Sequence, residues 1–379
     1  MKKALIVSTV SRQFTLFERG NIEVLKELGY EIHGAANYED ATPALEELDI
    51  KKHHIDIQRS PFKLNNLKAY KQLVKLMKEE KFDLVHCHAP MGGVVGRLAT
   101  KSVGIKNVLY TAHGFHFFKG APKLNWMIYY PIEKLLSRYT NTLITINEED
   151  YSLATSNKFK AKNIELVNGI GLNLEKFSPI SEKEKYRLRE EYGYDKDDKI
   201  LIYVGELSDR KNQKIIIEAV NLLKKDFKNI KLLLVGRGQL KDEYDKLIEE
   251  LGVQEQVELL GFRTDINQLL RISDIYVCSS RQEGLPVNIM EAMSIGLPVV
   301  CSKIRGNVDL IEDTKGGYLV DINTFVDYAE KISEIIKNPT CQVSMKEINI
   351  ENVKKYNITN VEKQMKKIYT KILRDEDKV

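Results

Sequence analysis

The stretch RQEGLPVNIMEAMSIGLPVV, residues 281–300, decides how the chain is read. Pro286 has the fixed φ suited to the first residue of a helix, with Gly284 and Leu285 forming the turn ahead of it. The apolar run then meets Gly296-Leu297-Pro298, which stops the helix and opens a β-rich run at 298–301. A helix that turns directly into a buried strand is one half of a crossover unit. Glu291 sits inside this helix, on the face it shares with Val287 and Ile295. An unpaired buried carboxylate is costly, so a hydroxyl or a cation is expected to meet it. Glu283 lies in the loop before the helix, where a phosphate or a sugar has room. Two carboxylates reaching one cleft can grip two polyols, one the ribose of a nucleotide and the other the sugar it carries.

Working outward, short β-rich runs alternate with amphipathic helices along the whole chain, which predicts parallel sheets with crossover helices. In the first half the strands are expected at 4–8, 30–35, 83–87, 107–112, 142–146 and 164–167. In the second they are expected at 200–204, 230–235, 257–259, 274–278, 298–301 and 318–320. A helix is expected over 65–80, with Leu67, Tyr70, Leu73, Val74 and Met77 on one face. The two series are separated by Asn168-Gly169-Ile170-Gly171-Leu172-Asn173, followed by Pro179. The fold expected is α/β, with two doubly wound, Rossmann-like domains over 1–170 and 171–357. A last helix, about 358–379, has no strand of its own to cover and is expected to pack back onto the first domain.

A chain of 379 residues exceeds one comfortable core, in keeping with two domains. No run is long and apolar enough for a membrane span, and MKKALIVSTV reads as a first buried strand instead of a signal peptide. Cys87, Cys278, Cys301 and Cys341 lie far apart without a C-x-x-C pair, the pattern of free thiols in a cytosolic protein. Net charge is +4 but uneven: residues 1–169 hold 24 Lys+Arg against 18 Asp+Glu, and the remainder 34 against 36. A basic first half suits an anionic membrane surface or an acidic acceptor. Nothing calls for nucleic acid.

Open parallel sheets bind ligands beyond the carboxyl ends of their strands. In the second half those positions carry Gly205, Arg210 and Lys211, then Gly236-Arg237-Gly238, then Phe262-Arg263, then Glu283-Gly284-Leu285-Pro286. Glycines and cations at one sheet edge suit a phosphate-bearing ligand. The G-x-G lacks the third glycine of the dinucleotide fingerprint.

These residues resemble family 4 glycosyltransferases of the GT-B fold. The resemblance rests on Glu283-Gly284-Leu285-Pro286 with Glu291-Ala292-Met293 and Gly296-Leu297-Pro298. It extends to Val204-Gly205 with Arg210-Lys211-Asn212, to Val235-Gly236-Arg237-Gly238, to Asn168-Gly169, and to Thr111-Ala112-His113-Gly114 in the first half. It implies two domains facing each other across a cleft, the first binding the acceptor and the second the nucleotide sugar. It further implies that Arg210 and Lys211 hold the donor diphosphate, that Glu291 takes the ribose, and that Glu283 takes the sugar. Phe262-Arg263-Thr264 would meet the base, chiefly through its backbone, and His113 would face the sugar and diphosphate. Two departures stand out. Glu206 occupies a position often held by arginine, and Ser8-Thr9-Val10-Ser11-Arg12-Gln13-Phe14 replaces a Gly-Gly loop, leaving Arg12 as the substitute cation.

His88 and His116 join Arg12 as expected acceptor- or phosphate-side residues. No carboxylate or cysteine stands at ligand spacing beside the histidines, so no metal is expected, nor any tightly bound cofactor. The run 115–130, with its aromatics, Lys119 and Lys123, and the basic helix carrying Lys68, Lys71, Lys75 and Lys78 suggest peripheral contact with the cytoplasmic membrane face. The function expected is metal-independent, retaining transfer of a sugar from a nucleotide donor, UDP-linked and with N-acetylhexosamine as the sugar considered. The acceptor expected is a glycan or polyprenyl-diphosphate-linked glycan in exopolysaccharide or capsule assembly. The alternatives are a nucleotide-sugar epimerase of the same architecture and a non-catalytic glycan-binding scaffold.

Overall fold

The computed structural model describes residues 1–376, with side chains through Ile372; the expected final helix runs on to 379, and 377–379 lie outside the described residues. The chain divides into two units, one of residues 1–171 with the helix Ile358–Glu376, the other of residues 172–357.

The first unit holds seven parallel strands: β1 (Lys2–Val10), β2 (Tyr30–Asn37), β3 (Lys51–His54), β4 (Leu84–His88), β5 (Val108–Ala112), β6 (Thr142–Thr145) and β7 (Asn163–Leu166). Their order is β3-β2-β1-β4-β5-β6-β7. In register, Leu5 of β1 lies between His33 of β2 and Val85 of β4. The central strands are buried over most of their length because helices cover both faces. On one face α3 (Asn65–Glu80), α4 (Pro90–Val103) and α5 (Lys123–Leu136) bury Leu73, Met77, Val95 and Ala99 against Val7, Val85 and Tyr110. On the other, α2 (Arg19–Glu27), which follows the short α1 (Arg12–Phe17), packs with the helix Ile358–Glu376. Val361, Met365, Ile368, Tyr369 and Ile372 of that helix enter the core beside Ile22 and Leu25.

The second unit repeats the scheme with β8 (Lys199–Val204), β9 (Ile230–Val235), β10 (Val257–Gly261), β11 (Ile275–Cys278), β12 (Val299–Ser302) and β13 (Gly317–Val320), in the order β10-β9-β8-β11-β12-β13. The α/β, doubly wound class expected from the sequence is the one observed.

Four local readings need correction. The edge strand β3 is KKHH, without an apolar residue, because edge strands are kept polar and unattractive to other chains. The expected loop after β1 is absent: the strand runs to Val10 and α1 begins at Arg12. On α3 the buried face is Asn66, Ala69, Leu73 and Met77, while Leu67 points outward. In the run 115–130 the aromatic side chains turn inward, while Leu124 and Met127 stay exposed. Phe115 and Phe117 are buried and stacked at 4.7 Å, with Trp126 and Tyr130 packed against them.

Candidate active site

In a doubly wound sheet the strand order reverses at one point, and the loops on either side diverge there to leave a crevice. In the second unit that point lies between β8 and β11. The loops after these strands are stitched together: Arg281 N donates to Arg210 O at 2.8 Å and Ser279 Oγ to Asn212 O at 2.7 Å. Tyr203 OH holds Lys211 O at 2.6 Å. Asn212 is left-handed, with φ 55°, and its side-chain oxygen accepts from Arg281 at 3.0 Å.

This stitching turns the Lys211 side chain inward, where its Nζ lies 2.6 Å from Glu283 Oε1, both side chains being almost wholly buried. Arg210, more exposed, reaches Glu283 Oε2 at 3.5 Å and Gln282 O at 3.1 Å. Arg305 Nε caps the Glu283 carbonyl at 3.0 Å. Glu283 is thus paired with both expected phosphate-binding cations. A buried pair survives its desolvation only with such supporting hydrogen bonds.

Gly236 and Gly238 serve a purpose other than presenting N–H groups. Gly236 has φ +149°, and a Cβ there would lie 1.9 Å from Gly205 O; one at Gly238 would lie 2.1 Å from Leu207 O. The Gly236 N–H already bonds Gly261 O, and that of Gly205 bonds Val235 O. What the missing side chains allow is close packing of the loops after β8 and β9.

Leu285 is buried, and Pro286 stands one position ahead of the helix Val287–Ile295 instead of inside it. Asn288 ties that helix to the end of β8 through Val204 O at 2.6 Å. Glu291 is half-buried in mid-helix, and the hydroxyl or cationic partner expected for it is absent: it makes no hydrogen bond or ion pair among the described residues. Burial pushes its carboxyl up to about 7, with Lys176 pulling the other way. Phe262 is exposed under the Arg237 guanidinium, while Arg263 is clamped on Asp265, its Nε 2.8 Å from Oδ1. Glu206 is exposed.

In the first unit the reversal falls between β1 and β4. His88 ends β4, and His113 follows β5. His88 Nδ1 and His113 Nε2 lie 3.3 Å apart. Contrary to expectation, a carboxylate does stand beside them. Glu18, wholly buried between α1 and α2, places Oε1 2.9 Å from His88 Nδ1 and 3.7 Å from His113 Nε2. Gln13 Nε2 bonds the same oxygen at 2.9 Å and lies 3.3 Å from His113 Nε2. Asn21 Nδ2 bonds the other oxygen at 2.7 Å.

One further chain of bonds runs from Asn21 to Tyr369, to His86 and to Thr111. Among the described residues Glu18, His88 and His113 are the one group of potential metal ligands gathered this closely. Sequence reasoning had no sign of Glu18 and met Gln13 only as part of the stretch after the first strand, with no role of its own; both meet the histidines only through the order of the strands. Of the other expected residues, Arg12 turns to Asp40 at 3.4 Å, and His116 lies against Tyr129, the rings tilted and 4.7 Å apart between centres.

Residues 184–356 match the family described as glycosyl transferases group 1, and residues 3–147 the one described as glycosyl transferase 4-like. The chain is 42% identical to EpsD of Bacillus subtilis (strain 168), named as a glycosyltransferase, over 89% of this chain and 88% of that one. It is 28% identical to an Escherichia coli enzyme named UDP-Gal:alpha-D-GlcNAc-diphosphoundecaprenol alpha-1,3-galactosyltransferase, over 81% and 80% of the two chains. Its fold superposes on the crystal structure of Anabaena HepE in complex with UDP and glucose with a TM-score of 0.81, at 20% identity and covering 98% and 100% of the chains. With 42% identity across nearly the full length of EpsD, both halves matched by glycosyltransferase families and two doubly wound domains, the chain belongs to the family 4 glycosyltransferases of the GT-B fold.

Proposed function

We propose that this glycosyltransferase moves a sugar, with retention of configuration and without a metal at the diphosphate, from a UDP-linked donor to a polyprenyl-diphosphate-linked glycan in exopolysaccharide or capsule assembly. The observation that carries the reading is the Lys211–Glu283–Arg210 cluster, followed in the next helix by a half-buried Glu291 that makes no hydrogen bond or ion pair among the described residues. Arg210 and Lys211 are the cations proposed for the departing diphosphate, where preorganised charge is worth most. Glu291 is proposed for the ribose hydroxyls, Glu283 for the sugar, and the 262–263 loop for the base. His113 is proposed to bond the sugar or diphosphate from the first unit. The Escherichia coli relative's name supports both the UDP donor and the lipid-linked acceptor; HepE's binding of UDP supports the donor alone.

No helix of the described residues is long and apolar enough to cross a membrane. Peripheral contact with the cytoplasmic membrane face is proposed through Phe62, Leu64 and Leu67, which stand 79%, 89% and 60% exposed beside Lys63. Exposed apolar side chains among lysines are what an anionic bilayer surface attracts.

A thermal-shift screen over UDP-, GDP- and ADP-sugars tests the donor, since a ligand at a hundred times its Kd stabilises by about 2.7 kcal/mol. UDP-sugars are expected to give the largest shift, and a larger one with GDP-mannose would refute the assignment. Transfer to a diphosphoundecaprenol-linked sugar tests the reaction. Epimerisation of the UDP-sugar without any acceptor would overturn it.

A further inference from the structure

An apolar groove in the first unit runs along α4, between that helix and the turn that leads into α3. Met91, Val94 and Leu98 line it on one side and Phe62, Leu67 and Tyr70 on the other, and it holds about 570 Å³, the size of a small-molecule site. Its lining includes two lysines, Lys63 and Lys101, and no carboxylate.

The sequence builds this groove. Gly93 and Gly96 let α4 sit close on the sheet: a Cβ at Gly93 would stand 2.3 Å from the Tyr110 ring, and one at Gly96 2.5 Å from Cys87 Sγ. The outer side of α4 is thereby recessed beside α3. Where a helix facing water would carry polar residues, it carries Val94 and Leu98. Tyr70 OH and Ser102 Oγ, 2.7 Å apart, close the end away from β4.

The other end begins beside the candidate site. α4 follows β4 directly, so Met91 comes soon after His88. Gly92 packs on the end of β1, its N–H donating to Thr9 Oγ1 at 3.3 Å. The groove therefore starts at the reversal between β1 and β4, where His88 and His113 meet, and runs from Met91 to Ser102 for about 16 Å at the rise of an α-helix. A lipid-linked acceptor must bring its diphosphate within a sugar or so of the reacting hydroxyl, so its hydrocarbon chain has to leave from just this neighbourhood. A bilayer phospholipid or a second copy of the chain has no such reason to lie there, and a lining with cations and no carboxylate favours an anionic lipid.

We propose that the groove seats the first isoprene units of the acceptor's polyprenyl chain, with the diphosphate left at the Met91 end beside the reversal. This deepens the acceptor reading given above and rests on it, adding the surface that recognises the lipid.

Calorimetric titration of the full-length protein with geranylgeranyl, farnesyl and geranyl diphosphate and with inorganic diphosphate, each below the concentration at which it aggregates, tests the proposal. Kd is expected to fall with each added isoprene unit as the groove fills, by up to about 4-fold per methylene buried, with inorganic diphosphate weakest. Leu98→Asp, at a position already 37% exposed, puts a charge in the groove, and Val94→Trp fills it. Each should weaken geranylgeranyl diphosphate by about 10-fold or more and flatten the dependence on chain length, and either serves if the other fails to fold. A Kd independent of chain length, or unaltered in both variants, would overturn the proposal. Equally tight binding of hexadecylphosphocholine would overturn it in favour of a bilayer lipid, and a dimer that dissociates in Leu98→Asp in favour of a second copy. Transfer to a diphosphoundecaprenol-linked sugar is read separately. Transfer together with chain-independent binding removes the groove and leaves the reaction; chain-dependent binding without transfer removes the acceptor reading, and the proposal with it.

Discussion

Glu291 has a carboxyl lifted to about 7 and makes no hydrogen bond or ion pair among the described residues, so both stability and ligand binding should titrate through it. In the folded state it holds its proton up to about 7, in the unfolded chain only up to about 4.5. Between those values the folded state binds more protons, and stability falls as pH rises. The cost is absent below 4.5, builds through the window and is complete above about 7. At about 1.4 kcal/mol per pH unit the ceiling is about 3 kcal/mol; water reaching the half-buried oxygens reduces it to about 1–2 kcal/mol. Glu291→Gln removes the ionisation and keeps the shape. The variant should match the parent near pH 4.5 and melt higher near pH 8, by roughly 3–6 °C for a unit of this size. If ribose hydroxyls bond the ionised form, UDP binding near pH 7 should release up to about half a proton, visible by calorimetry in buffers of different ionisation enthalpy, and Glu291→Gln should release none. Equal melting of parent and variant at pH 8, or proton release that persists in the variant, would refute the reasoning.

Lys211→Met leaves Glu283 buried without its close partner and should destabilise the second unit by about 3–5 kcal/mol in denaturant titration. Adding Glu283→Gln should restore most of that stability but not UDP binding. Gly236→Ala places a methyl against the Gly205 carbonyl at a backbone angle hostile to alanine, and should cost about 3 kcal/mol or more by the same measurement. Replacing Phe62, Leu64 and Leu67 together by glutamate should abolish sedimentation with anionic vesicles while leaving the melting temperature within about 2 °C, since surface changes of this kind cost little.

The sequence alone determined whatever repeats locally: the apolar strands, the turn and helix around Glu283 to Gly296, and the loops where glycines and cations gather. Such features are legible because backbone geometry and two-sided burial act over a few residues. β3 escaped because an edge strand needs no apolar residue, and the outward turn of Leu67 escaped because spacing gives a face but not what covers it. Tertiary structure alone decided the pairings. It set Lys211 on Glu283 across 72 residues, left Glu291 without a hydrogen bond or ion pair among the described residues, and brought Glu18 and Gln13 to histidines 70 and 100 residues away. Those meetings depend on which strands lie beside the reversal in each sheet, and so on the order in which the whole chain packs.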